Sequence, residues 1–182
     1  MIRLAYFERS DFSQLKDWLK DDDLLMNWSG SLFSFPLTDR SLEWYIKDVN
    51  EIPGSDAFIY KAIDTDSGLT IGHISLGSIS KKNRSARISR VLIGNAQDRG
   101  KGYCHKMVSA LLHIGFNDLK LHRISLGVYD FNTSAIKCYQ RAGMTIEGKQ
   151  RDILLFKGNW WSLVEMSILE TEWINLQDTF TR

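Results

Sequence analysis

The segment Gln97-Asp98-Arg99-Gly100-Lys101-Gly102-Tyr103 has the make-up of an anion cradle. An apolar run, Val91-Leu92-Ile93, precedes it and reads as a buried strand. After it, Met107, Leu111 and Ile114 recur at helical spacing within residues 106–116. A strand, a glycine turn and a helix bring backbone N–H groups together. The first amides of a helix lack intrahelical partners and carry the positive end of its dipole. Gly100 and Gly102 let the backbone approach a ligand, while Arg99 and Lys101 add charge. This is the chemistry of diphosphate binding. A P-loop would need Gly-Lys-Ser/Thr, and here Tyr103 follows Gly102. A dinucleotide fingerprint would need a third glycine and an acidic residue about 20 positions on. The chain reads Lys120-Leu121-His122-Arg123 there.

A second stretch with chemical content runs from Asp130 to Met144. Asn132 is a good helix cap, and Ala135, Ile136 and Tyr139 share a helical face. Gly143 sits where a left-handed C-cap belongs. The histidines are less informative. His105 and His113 lie eight residues apart on one helix, a spacing unsuited to a shared metal, and His122 opens a strand. His73 falls on a strand that could face a cleft. Cys104 and Cys138 have no CxxC spacing, so neither a disulfide framework nor a zinc site is expected.

These segments need a scaffold. Residues 2–7 alternate like a strand. Asp11 can cap a helix with Phe12, Leu15, Trp18 and Leu19 in one stripe, ended by the acidic run Asp21-Asp22-Asp23, which reads as a solvated turn. Residues 27–36 read as a loop, and residues 38–50 as a second helix burying Leu42, Tyr45, Ile46 and Val49, broken by Pro53-Gly54. Strands are predicted at 57–64, 69–79, 86–93, 123–129, 145–156 and 163–170, the last two flanking a turn at Lys157-Gly158-Asn159. The reading is one mixed α/β domain spanning residues 1–182.

The composition fits a globular chain, with 43% apolar and 25% charged residues. A net charge of +1 supplies no long-range field for nucleic acid or an anionic membrane. No apolar run reaches the roughly 18 residues of a membrane span, and residues 1–6 lack a signal-peptide core. The expectation is a cytoplasmic protein with neither a nucleic-acid nor a membrane partner. Most of the six tryptophans are expected in the core.

Gln97-x-x-Gly100-x-Gly102 and, about 30 residues on, Asn132-x-x-Ala135-x-x-x-Tyr139-x-x-x-Gly143-Met144 together resemble the two signatures of the GNAT N-acetyltransferase superfamily. Met144 replaces the usual aromatic. The likeness covers residues 86–148 most specifically, and resembles the branch holding ribosomal-protein N-terminal and polyamine acetyltransferases. It implies an α/β GNAT-like fold: a mixed, mostly antiparallel central sheet flanked by helices, with the cofactor cleft where the fourth and fifth strands splay. The cosubstrate would be acetyl-CoA, with no metal. Its pantetheine arm would lie on the backbone of Val91, Leu92 and Ile93, and its pyrophosphate on the amides of Arg99, Gly100, Lys101, Gly102 and Tyr103. Asn132 matches the residue that bonds the arm, and Tyr139 the general acid that protonates the departing thiolate. Transfer to a primary amine (a small metabolite, polyamine, amino sugar or antibiotic, or protein N-terminus) would be direct, without an acyl-enzyme. A homodimer is compatible with this picture.

The sequence departs from the family at the general base. Relatives carry Glu in an Ala-Glu-Ile-Gly-like run, and here the run is Ala86-Arg87-Ile88-Ser89. Arginine stays protonated and cannot accept a proton. Backbone-held water, Asp130, Glu165 and His73 are the alternatives, and Arg87 is instead a candidate for holding a negatively charged part of the acceptor. Trp28 and Phe33, in the 27–36 loop, are candidates for a substrate wall, as is the hairpin Asn159-Trp160-Trp161. The rival function is a non-catalytic acyl-CoA-binding regulatory module. Arg87 favours that rival, while the intact cradle and Tyr139 oppose it.

Overall fold

Antiparallel strands Ile2–Tyr6 (β1), Phe58–Asp64 (β2), Thr70–Ser80 (β3) and Ser85–Ile93 (β4) build one half of a seven-stranded sheet. The other half comprises Arg123–Tyr129 (β5), Thr145–Phe156 (β6) and Asn159–Leu169 (β7), giving the order β1-β2-β3-β4-β5-β7-β6. The coordinates are a computed structural model and describe residues 1–52 and 54–180. Helices Phe12–Trp18 (α1), Asp22–Ser29 (α2) and Asp39–Tyr45 (α3) precede β2. Tyr103–His113 (α4) links β4 to β5, Thr133–Arg141 (α5) links β5 to β6, and Glu170–Phe180 (α6) follows β7. A helical crossover returns the chain in the same direction, so β4 and β5 are the one parallel pair among the described residues.

Two apolar clusters hold the sheet. Met107, Leu111 and Leu112 of α4 recur at helical spacing and bury fully against Ile74, Ile88 and Ile124. Each such side chain contributes about 2 kcal/mol through removal from water. The second cluster joins α1–α3 to Phe7 and Ile59, with Leu15, Leu25 and Leu42 fully buried. Along β4 the two faces differ in kind. Ala86 and Ile88 enter the first cluster, while Arg87 and Ser89 point to the opposite face.

Several local expectations are corrected. The run Asp21-Asp22-Asp23 starts α2 rather than forming a solvated turn: the Asp21 carboxylate accepts from the Leu24 amide at 2.8 Å. Asp23 pairs with Lys157 Nζ at 2.6 Å. Much of the 27–36 loop is therefore helical. The second predicted helix stops at Tyr45, because Asp48 and Asn50 adopt positive φ and Asn50 turns to accept from the Ile59 amide. Pro53 lies outside the described residues. β7 begins at Asn159, so Trp160 and Trp161 sit in a strand and the turn is Lys157-Gly158. Cys104 on α4 and Cys138 on α5 form a disulfide, contrary to the expectation from their spacing. Trp28 and Trp173 are buried, while Trp44 and Trp160 are mostly exposed. Among the described residues, no helix is long and apolar enough to cross a membrane.

Candidate active site

β4 pairs with β5 over only three positions, Ser85↔Arg123, Ala86↔Ile124 and Arg87↔Ser125. β5 then continues alongside β7 as far as Tyr129↔Leu163, and the β5-facing edge of β4 from Ile88 to Ile93 has no strand beside it. Backbone donors and acceptors on such an edge are free to bind an extended amide-bearing chain. On its other side β4 carries a bulge. His73↔Leu92 and Ser75↔Ser89 are paired, so Arg90 and Val91 oppose Ile74 alone, and Arg90 takes φ +53°. The bulge turns the Arg90 carbonyl inward. That carbonyl accepts from the indole N–H of Trp28 at 2.9 Å and from His73 Nδ1 at 3.0 Å. A carbonyl only accepts, so Nδ1 carries the proton and the ring is neutral with Nε2 bare. Burial holds the imidazole pKa down at about 4.

At the far end of β4, Gly100 and Gly102 both adopt the left-handed conformation, with φ +78° and +81°. A Cβ built at either meets no atom within 4 Å, so open space faces this turn. Gly102 caps α4 without any side-chain hydrogen bond. The turn thus fits a diphosphate: close backbone, helix amides and an unobstructed approach. Lys101 is bonded to Asp98 at 3.0 Å, which lowers the Asp98 pKa and leaves exposed Arg99 as the freer cation. Tyr103 begins α4, with Lys106 Nζ 5.7 Å from its ring centroid.

Across the cleft, Asn132 caps α5, its Oδ1 accepting from the Ala135 amide at 3.3 Å and from the Ser134 hydroxyl at 3.1 Å. Its Nδ2 makes no hydrogen bond among the described residues, so one side chain can cap the helix and still donate to a ligand carbonyl. Tyr139 is buried on the same helix, and desolvation raises its pKa. The phenol therefore stays protonated throughout the ordinary pH range. The Cys104–Cys138 disulfide joins the two helices that carry these groups.

The opposite side of the sheet holds the acceptor candidates. Arg87 is committed: its Nη1 and Nη2 donate to both Glu165 oxygens at 2.9 and 2.8 Å. This pair spans β4 to β7 over Gly127, where a Cβ would come within 2.6 Å of Arg87 Nη2. Gln150 also donates to Glu165, at 3.2 Å. Asp130 is held by Lys149 at 2.5 Å. Both carboxylates are held in ion pairs, and Arg87 is already neutralised. Trp28 and Phe33 stack with centroids 5.8 Å apart inside the second core, so they brace the bulge from behind rather than lining an open wall. A cleft of about 470 Å³ opens beside them, lined by Gly30, Ser31, Tyr129, Ile153 and Leu154 among others. Tyr129 itself leans on Phe131 and Trp161. No cluster of metal-ligating side chains occurs among the described residues.

The sequence matches the profile of the acetyltransferase (GNAT) domain over residues 2–145. The chain belongs to the GNAT acetyltransferase family. The family's cosubstrate is acetyl-CoA, and the open β4 edge and glycine turn suit it. Among the relatives, spermidine N(1)-acetyltransferase of Vibrio cholerae is 29% identical over 175 residues, covering 96% of each chain. The uncharacterised N-acetyltransferase YnaD of Bacillus subtilis is 26% identical over 172 residues, 94% of this chain and 95% of its own. The crystal structure of the Vibrio cholerae spermidine N-acetyltransferase with CoA and spermine superposes with a TM-score of 0.81 at 23% identity, covering 96% of this chain and 98% of that one. This GNAT protein shares that fold. The sequence does not single out Arg90 or Tyr129, and it places Tyr45 only among buried helix residues. The bulge at Arg90 leaves no local mark, whereas Tyr129, ending a strand three residues before a helix cap, was open to notice.

Proposed function

We propose that this GNAT enzyme moves the acetyl group of acetyl-CoA directly to a primary amine, with Tyr139 as general acid. The observation that carries the reading is the unpaired β4 edge running from the Arg90 bulge into the open glycine turn. The backbone of Val91, Leu92 and Ile93 holds the pantetheine arm, and the amides of Arg99 to Tyr103 hold the pyrophosphate. Asn132 Nδ2 donates to the arm. An amide N–H just past the bulge polarises the thioester carbonyl and stabilises the oxyanion. The amine nitrogen bonds to the carbonyl carbon, the C–S bond breaks, Tyr139 gives its proton to the departing thiolate, and the proton shed by the new amide nitrogen passes through water to restore the Tyr139 phenol. Asp130 and Glu165 are both in ion pairs, so the amine enters as its free base, having lost its proton to water.

Thermal unfolding with saturating acetyl-CoA, free CoA or ADP tests the cradle. Ligand at about 100 times Kd stabilises by about 2.7 kcal/mol, a shift of about 5–10 °C for this size. No shift with any of the three would remove the reading. For the acid, Tyr139→Phe is expected to lower kcat about tenfold or more while sparing acetyl-CoA affinity. An unchanged kcat would take Tyr139 out of the mechanism.

A further inference from the structure

Arg90 is the uncompensated charge of the acceptor side. Its guanidinium lies 5.1 Å from the centroid of the Tyr45 ring, and Nη1 donates to the Ser89 hydroxyl at 2.8 Å. Nε is buried and makes no hydrogen bond, and among the described residues no carboxylate lies within ion-pair distance. A guanidinium has five donors in a planar fork suited to two carboxylate oxygens. Here one donor is bonded to Ser89 and the guanidinium also interacts with the Tyr45 hydroxyl, leaving donors over in a partly buried place where an unpaired cation is costly.

The surroundings sharpen the point. Arg87 is cancelled by Glu165, Asp130 by Lys149, and Asp11 by Lys61 at 2.9 Å. The neighbouring cleft is lined by uncharged residues. Beside Arg90, the hydroxyl of Tyr45 and Nε2 of His73 are also buried without a hydrogen bond of normal length, the Tyr45 hydroxyl facing Ser75 and Arg90, so all three such side-chain atoms among the described residues gather at this one place. Both residues are more than nine-tenths buried. A polyamine would bring positive charge to a wall where the Arg90 guanidinium has no carboxylate partner among the described residues. An oxyanion would complete it.

Resting on the acetyl-transfer reading above, we propose that Arg90 is a specificity-determining residue that selects a small acceptor carrying a carboxylate as well as the amine. The position supports this. Arg90 is the bulge residue, and Val91, next in the chain, starts the edge assigned to the thioester arm. A carboxylate held by Arg90 therefore leaves the amine of the same molecule beside the reacting carbonyl.

The test uses the full chain with a panel of α- and ω-amino acids, each paired with its carboxamide, plus spermidine and kanamycin, read by thiol release. The carboxylate form is expected to exceed its carboxamide about tenfold or more in kcat/KM. Arg90→Gln is expected to erase that ratio while keeping the acetyl-CoA thermal shift. Calorimetric titration of the same amino acids into ligand-free protein, wild type and R90Q, supplies a readout independent of acetyl-CoA. Faster turnover of spermidine or kanamycin than of every amino acid would overturn the proposal, as would a carboxylate preference that survives in R90Q. An acetyl-CoA shift with neither binding nor turnover of any amino acid would also overturn it, leaving the cradle intact. Loss of the acetyl-CoA shift alone would instead strike the function proposed above.

Discussion

The indole N–H of Trp28 donates to the carbonyl of Arg90 at 2.9 Å, across 62 residues of sequence. This contact ties α2 to the β4 bulge, which lies within the free edge running from Ile88 to Ile93. The same carbonyl is held by His73, itself wedged edge-on against Phe7 and Trp28. Trp28→Phe keeps most of the apolar bulk and removes the donor. Loss of one buried hydrogen bond is expected to cost about 1–2 kcal/mol in denaturant unfolding. Because the bulge positions the amides past Arg90, kcat should fall more than acetyl-CoA affinity does. Equal stability in the two proteins would show that His73 alone suffices.

His73 makes stability depend on pH in a defined window. Its ring is neutral in the folded protein, where burial lowers the pKa from 6.5 to about 4. Below pH 6.5 the unfolded chain binds a proton that the folded chain refuses, so unfolding gains and stability falls as pH drops toward 4. The shift corresponds to about 3 kcal/mol at the bottom of the window. Glu147, drawn down from 4.5 to about 2 chiefly by its bonds with Arg123, acts at lower pH and does not overlap the upper part of the curve. His73→Asn can still donate to the Arg90 carbonyl and does not titrate. Stability of that variant, measured by denaturant titration from pH 7 to 4.5, is expected to be nearly flat. A wild-type slope retained in the variant would assign the window elsewhere.

What the sequence disclosed follows the range of the interactions concerned. The cradle and the Asn132 cap are local devices: glycines at left-handed turns, a cap accepting from an amide three residues on, and apolar spacing that needs no distant partner. The left-handed glycines and the helix cap are legible in the sequence, and with them the strands on either side. Asp21-Asp22-Asp23 reads as a solvated turn although Asp21 caps α2 through a local bond with the Leu24 amide; only the pairing of Asp23 with Lys157, more than 130 residues away, lacks a local signal. Trp28 and Phe33 read as an open wall because aromatic composition does not disclose that Trp28, on α2, turns inward onto β4 with Phe33 stacked on it. Arg87 was visible as a departure from the family. Its neutralisation by Glu165 depended on a glycine between them, Gly127, that no local rule marks. Arg90 had no signal at all, since a bulge is a property of two strands.

The disulfide between Cys104 and Cys138 closes a loop of 34 residues and joins α4 to α5. Constraining the unfolded chain by a loop of this length is expected to stabilise the fold by about 3–4 kcal/mol. The Cys104→Ser, Cys138→Ser double variant and the reduced wild type should therefore unfold at similar, lower denaturant concentrations than the oxidised protein. Adding reductant should leave the double variant unmoved. Coincident curves for oxidised and reduced wild type would show that the bridge constrains nothing the fold does not already fix.

Glu165 is the nearest counterpart to a base on the acceptor side, and its geometry argues against that role. Both oxygens are engaged by Arg87, and one also accepts from Gln150. If the amine instead loses its proton to water, only the free base reacts, and kcat/KM rises tenfold per pH unit until the acceptor's own pKa is reached. Acceptors of different pKa should then move that limb by the difference between them. Glu165→Gln keeps hydrogen-bonding capacity and removes the charge, at a cost of about 1 kcal/mol for this partly exposed pair. The limb should remain where the acceptor puts it. A variant whose pH dependence vanishes, with kcat lowered a hundredfold or so, would restore Glu165 as the base.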